Sequence, residues 1–273
     1  MSMPVTVKEL WLYPVKSLAG IRVNSLSFDV SGPIDDRRWM LVDQRGHFVS
    51  QRSHRAMALF RLNLNNNEVQ VKAPSGSTLS LPKPDAQQVY QPVAVTVWKD
   101  ELIAYEVDAA ASTWFSQEMR TPVRLVWLGN QSERRISDWA AFDTERVGFA
   151  DGYPLLVCNQ ASIDRLNHGE QLPLEQRRFR PNIVAQGLPA NRELALGEWQ
   201  LAGGVLAMLK TCERCNIPAI DPETAEYQKD TAARIKTECR YQGRTVFGVN
   251  AVARGLDLLK QGDSGPWIPG STA

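Results

Sequence analysis

Apolar and polar residues alternate in short stretches through most of this chain, the pattern of half-buried strands. Residues 5–13 and 21–30 are rich in strand formers and are separated by Pro14 to Gly20. Gly32-Pro33 marks a turn before a third predicted strand over 34–42, and Gln44-Arg45-Gly46 reads as a hairpin turn into 47–50. Between Phe60 and Tyr105 come short runs at 62–64, 69–71, 79–81 and 93–98. They are broken by Asn65-Asn66-Asn67, Pro74-Ser75-Gly76 and Pro82-Lys83-Pro84. Many short strands at close spacing predict a barrel or sandwich. The first helical period lies over 109–119, with Trp114, Phe115 and Met119 in phase. A new strand at 123–128 sets a boundary near residue 120, giving an N-terminal β-rich domain over 1–120 and a second domain over 121–273.

In the second half, polar residues 130–147 read as a long loop or lid. Phe149-Ala150-Asp151-Gly152-Tyr153-Pro154 turns the chain into a buried strand at 155–157. Asn159 is placed to cap a helix that ends at His168-Gly169. Strands follow at 183–184, 198–201, 205–210 and 247–253. Residues 225–236 have a polar, helix-compatible pattern, and the tail from 265 reads as loop. The fold class is therefore mainly β with some α.

With 273 residues the chain can bury a full core. A net charge of +1 argues against a mainly electrostatic partner such as duplex nucleic acid. No apolar run reaches the ~20 residues that cross a bilayer, and no basic-then-apolar leader opens the sequence. Four cysteines, Cys158, Cys212, Cys215 and Cys239, do not make a disulfide framework in a chain of this length. They fit a reducing cytoplasm, where a close pair is metal-binding or catalytic. The three histidines are scattered, against a His-rich metal centre.

The candidate chemistry concentrates in Cys212-Glu213-Arg214-Cys215, with Asp221-Pro222 just beyond. A cation beside a thiol favours the thiolate. One C-x-x-C does not supply the four ligands of a structural zinc site, and Pro218 argues against the helix of a thioredoxin-like pair. Two half-buried structural cysteines, or one reactive or metal-ligating thiolate, both remain open. Lys16-Ser17, in a tight link between strands, can form an anion nest or be a plain surface turn. Arg37 and Arg38 fall on opposite faces if extended, so that one can face a pocket while the other pairs with Asp35 or Asp36. Arg177-Arg178-Phe179-Arg180-Pro181 offers guanidinium forks suited to phosphate, or else a solvated basic loop. Pro181 biases Arg180 toward extended backbone.

Five segments in order resemble one family. Tyr13-Pro14-Val15-Lys16-Ser17 and Asp36-Arg37-Arg38-Trp39 resemble the β-barrel domain that precedes MOSC domains. Asp151-Gly152-Tyr153-Pro154-Leu155-Leu156, Arg178-Phe179-Arg180-Pro181-Asn182-Ile183-Val184 and Cys212-Glu213-Arg214-Cys215 resemble the MOSC domain itself. The resemblance is to proteins of the YcbX and mitochondrial amidoxime-reducing type. It implies a β-barrel second domain and a molybdenum cofactor, Mo-molybdopterin. Cys215 would be the metal ligand, with Cys212 a neighbour. Lys16, Ser17, Arg37, Asp151, Gly152, Tyr153, Arg180, Asn182 and Arg214 would hold the cofactor. The implied reaction is two-electron reduction of small N-hydroxylated substrates, with a separate flavin or haem reductase as donor. Non-catalytic cofactor binding, or sulfur carriage as a Cys215 persulfide, is the alternative. The sequence departs from some relatives in showing neither the mitochondrial relatives' anchor nor the cysteine series of an iron–sulfur domain, and a cytoplasmic protein is expected. Substrate choice is expected in the 130–147 loop and around Tyr227. Ala225 stands where the family usually has Gly, so the turn there is expected to differ.

Overall fold

The computed structural model describes residues 4–65, 68–85, 87–129, 132–137, 141–169 and 173–270. The chain is mainly β. Seven strands close a barrel in the order Leu155–Asn159, Ile183–Gln186, Pro4–Leu12, Ser264–Pro269, Gly197–Leu201, Gly204–Glu213 and Arg244–Arg254. The ring is completed by antiparallel pairing of the last of these with Leu155–Asn159. Within this ring the pair Leu155–Asn159 and Ile183–Gln186 runs parallel, and helix α2 (Gln160–Leu166) lies in the connection between them.

The opening strand, first in sequence, lies inside this barrel, between Ile183–Gln186 and Ser264–Pro269. Its inward residues change phase along the way. Val5 and Val7 face the core, then Leu10 and Leu12, and the register shifts between Val7 and Glu9. One extra residue flips every later side chain to the other face, so the apolar pattern and the bulge require each other. Arg244–Arg254 does the same. Val246 and then Val249 and Ala251 enter the core, across a register shift against Thr211 and Glu213. Gly248 sits in that irregularity at φ +75°, where an added Cβ would come within 2.8 Å of the Val157 carbonyl oxygen. The lumen is filled by side chains that include Trp199, Trp267, Leu206 and Met208.

Leu155–Asn159 is buried on both faces. Leu155 and Val157 point into the barrel, while Leu156 and Cys158 pack outside beneath Ile163, Leu166, Phe179 and Ile235. Ile235 comes from helix α3, Lys229–Glu238. Asn159 caps α2 as expected, its side chain accepting from the Ala161 N–H.

The remaining strands form a second β-rich body. Trp39–Val42, Arg124–Trp127, Asp100–Glu106 and Gln91–Val97 make a four-stranded sheet. Arg61–Leu64, Glu68–Lys72 and Thr78–Pro82 make a meander. Helix α1, Ala109–Met119, spans the predicted residues and packs Phe115 against Phe60. Asp108 caps it and Arg120 ends it in left-handed conformation.

Four sequence expectations are corrected. The tail includes the strand Ser264–Pro269, because the barrel needs a partner for both the opening strand and Gly197–Leu201. The 21–30 stretch divides into Ile21–Val23 and Ser25–Asp29, which pair with different partners. The third strand begins only at Trp39, since Asp35 and Arg37 take positive φ. The late helix runs from Lys229 to Glu238.

Candidate functional site

Two backbone segments, far apart in sequence, are held side by side where the two bodies meet. Lys16 N–H donates to the Trp39 carbonyl, Trp39 N–H to Pro14, and Arg37 N–H to Tyr13. Asp36 fixes the same junction through the Tyr13 N–H, at 2.8 Å, and through the Arg37 guanidinium. Ser17 and Arg37 both sit in left-handed backbone, at φ 70° and 47°. Such conformations cost energy for non-glycine residues and persist where surrounding bonds over-determine them. Arg37 therefore leaves the strand geometry expected for it. Its side chain reaches Asn182 Oδ1 at 2.8 Å and the Arg180 carbonyl at 3.2 Å. Arg38 turns the other way, to Asp29 at 2.7 Å and not to Asp35 or Asp36.

The three arginines before Pro181 take three different tasks. Arg177 pairs with Glu175 and Glu223 at the surface. Arg178 is buried and donates to the Pro218 and Ile220 carbonyls and to Asp221 at 2.6 Å. It thereby fixes the segment just after Cys215. Arg180 caps the 3-10 turn Gln176–Phe179 with φ 59° and ψ 47°, not the extended backbone expected before proline. Its N–H closes on the Arg177 carbonyl, and its guanidinium donates to the Leu18 carbonyl at 2.6 Å. Arg37 and Arg180 both lie against the Tyr13 ring, 4.5 and 4.3 Å from its centroid. Burial lowers Arg180 to about 10, with the positive charge of Arg37 adding to that effect.

Lys16 is buried with its ammonium on the Phe149 carbonyl, at 2.7 Å, and on Asp151, at 2.6 Å. Burial lowers its pKa against the pull of Asp151. Asp151 feels partial burial in the opposite sense. Lys16, the Trp98 indole N–H at 3.1 Å and Arg52 outweigh it and hold the carboxyl below its ordinary range. Arg134 anchors the Asp151 turn from behind, donating to the Gly148, Ala150 and Asp151 carbonyls.

These residues wall one cleft, which encloses about 800 Å³ of space, part of it open solvent. All ten sequence candidates line it: Lys16, Ser17, Arg37, Asp151, Gly152, Tyr153, Arg180, Asn182, Arg214 and Cys215. Asn182, fully buried, also braces the wall, accepting from Arg37 and the Leu156 N–H and donating to the Trp11 carbonyl. The lining carries five cations against two carboxylates, Asp151 and Glu213.

Cys215 is exposed, at the edge of this cleft. The cation that reaches its sulfur is not Arg214. Residues two apart in an extended segment share a face, and Arg214 donates to Cys212 Sγ at 3.0 Å and to the Phe179 carbonyl. Arg52, from the other body, brings Nη1 to 3.8 Å from Cys215 Sγ. It is held 4.4 Å from the Trp98 ring. Sequence reasoning missed Arg52, Arg134 and Asn250, since no motif marks them. The described residues 132–137 and 141–147 do not line the cleft, contrary to the lid expected there. Residues 130–131 and 138–140 of that loop lie outside the described residues.

The closed seven-strand barrel and this cationic, thiol-bearing cleft define the class. The chain matches the MOSC N-terminal beta barrel domain over residues 4–122 and the MOSC domain over 144–264, and it belongs to the proteins that join these two domains. Among curated relatives it is similar to mitochondrial amidoxime reducing component 2 of Bos taurus, 25% identical over 94% of this chain and 82% of the relative. The same component of Homo sapiens is 28% identical over 80% of this chain and 68% of the relative. The molybdenum cofactor sulfurase of Bos taurus is 25% identical over 92% of this chain but only 30% of that protein. Among the described residues no helix is long and apolar enough to cross a membrane.

Proposed function

We propose that this chain holds a molybdenum cofactor in the cleft and reduces small N-hydroxylated compounds, amidoximes, hydroxylamines and N-hydroxylated bases among them. The observation that carries the reading is the convergence on one cleft of an exposed thiol, Cys215, and five cations drawn from separate segments. The donor set suits the group. Among the described residues no three His, Cys, Asp or Glu side chains gather into a metal site. A metal at Cys215 would therefore bring its remaining ligands with it, as a pterin dithiolene does. Guanidinium forks match a phosphate. Arg214 Nε is a buried donor with no partner among the described residues, which a polar ring system could satisfy.

On this reading Cys215 supplies the soft thiolate, and Arg37, Arg180 and Arg214 hold the cofactor's anionic and polar edges. Lys16, Ser17, Asp151, Gly152, Tyr153 and Asn182 shape the remaining wall. When bound, the group supplies the two-electron oxygen-accepting chemistry. The net change takes R–NH–OH, two electrons and two protons to R–NH2 and water. The chain's part is to orient the substrate beside Cys215, and a separate flavin or haem reductase supplies the electrons. A cytoplasmic setting belongs to the same reading, supported by four cysteines that are all free; the relatives' printed names place those proteins in mitochondria. The division at 120/121 is proposed as one of the sequence into two domains, across which the fold exchanges Pro4–Leu12 into the barrel and Arg124–Trp127 into the other body.

Metal and pterin analysis of protein made in a cofactor-competent host, with benzamidoxime turnover on an artificial donor, tests it. Near-stoichiometric molybdenum and turnover, both lost in Cys215→Ala and kept in Cys212→Ala, are expected. Zinc in place of molybdenum would overturn it. Bound molybdenum without turnover, or a Cys215 persulfide, would favour the cofactor-binding or sulfur-carrier alternative, which the exposure of Cys215 also supports.

A further inference from the structure

Cys215 borders a second space besides the cleft. It spans about 740 Å³ of space, part of it open solvent, and its lining includes Tyr227, Ala232, Ala233, Lys236 and Thr245. Ala233 and Lys236 are three apart on helix α3, so they share a face. The alanines keep the floor low, and Lys236 stands at its edge. Among the described residues no carboxylate lines this pocket or pairs with Lys236. Arg214, which also lines the cleft, reaches this pocket too, and Arg55 lies 5.3 Å from the Tyr227 ring centroid. Tyr227 is held in place by its loop. Ile220 and Tyr227 form a β-bridge, the Gln228 N–H donates to the Ala219 carbonyl, and Asp221 caps the turn through the Glu223 and Thr224 N–H groups.

We infer that this pocket is the substrate's, and that it selects planar N-hydroxylated compounds carrying an anionic group. This rests on the reductase reading above. If the cofactor fills the cleft on one side of Cys215, a substrate approaching the same sulfur from α3 meets an aromatic ring, a shallow apolar floor and the Lys236 ammonium. The flat body lies along Tyr227, and the anion meets Lys236. Because Lys236 is exposed, its contribution is that of a surface charge pair, about three- to fivefold in affinity.

Benzamidoxime and 4-carboxybenzamidoxime differ only in the anion and form the test pair. Binding of each to the wild type, Lys236→Gln and Lys236→Glu is measured by equilibrium dialysis, and turnover is measured separately. The carboxylate compound is expected to bind more tightly, with its KM lower by about three- to fivefold and kcat alike for the two. Lys236→Gln should erase the preference and Lys236→Glu invert it. Equal binding of the two compounds to the wild type, or a preference that survives Lys236→Glu, overturns the inference while the reductase reading stands. Selective binding lost in Lys236→Glu, with neither compound turned over by molybdenum-loaded protein, supports the anion subsite and overturns the reductase reading.

Discussion

Replacing Arg178 by methionine keeps most of the buried stem and removes the guanidinium. The side chain is 7% exposed and its partner Asp221 is 18% exposed, so water replaces little of what is lost. Three hydrogen bonds go, to the Pro218 and Ile220 carbonyls and to Asp221. Asp221 keeps the Glu223 and Thr224 N–H groups and the Gln228 amide, so its charge is not abandoned. That places the cost near the low end of the range for breaking a buried pair, about 3 kcal/mol. For a chain of this size the expected fall in Tm is roughly 6–12 °C. A double-mutant cycle with Asp221→Asn isolates the pair, with a coupling of about 1.5–3 kcal/mol expected from a charge-assisted bond. Urea denaturation of the four proteins measures it. A coupling below about 0.5 kcal/mol would refute the Arg178–Asp221 pair as part of the clamp behind Cys215.

Three further outcomes are expected. Ala225 is left-handed at φ 60°, which costs an L-residue about 1–2 kcal/mol, less the extra chain entropy of glycine, so Ala225→Gly should raise stability by about 0.5–1 kcal/mol; a lower urea midpoint would contradict the strain. Asp151, Asp221 and Glu223 have folded pKa values below their ordinary ones. The unfolded chain therefore binds more protons as pH falls below about 4, and the stability these groups add is present above that pH and lost beneath it. Asp221→Asn should show a shallower acid limb than the wild type in urea midpoints between pH 5 and 3, and parallel limbs would count against the assignment. Iodoacetamide should label exposed Cys215 well before Cys158 and Cys239. These two are buried, and burial pushes the Cys239 thiol up to about 11 and Cys158 further. Equal labelling rates, read by mass spectrometry of peptides, would be the contrary result.

The candidate site was legible because its residues come in short runs whose chemistry is unusual for a surface. Lys16-Ser17, Arg180 and Cys215 each had a bland reading alone, and the family resemblance joined them. Arg52 and Arg134 carried no such signal. Each acts through a contact that spans more than 15 residues, Arg52 with Cys215 and Arg134 with the Asp151 turn. The expectation for Arg180 failed because a proline's local bias was outweighed by a left-handed capping position.

Periodicity settled the mainly β class, helix α1 and the Asn159 cap, because those depend on neighbours within a turn or a strand. It also carried the bulges, hidden in the shift from Val5 and Val7 to Leu10 and Leu12. Only the tertiary structure decided that the opening strand belongs to the barrel of the second half, that the tail closes that barrel, and that Arg52 and not Arg214 meets Cys215. Strand pairing joins segments hundreds of residues apart, and no local pattern records which edge a strand will find.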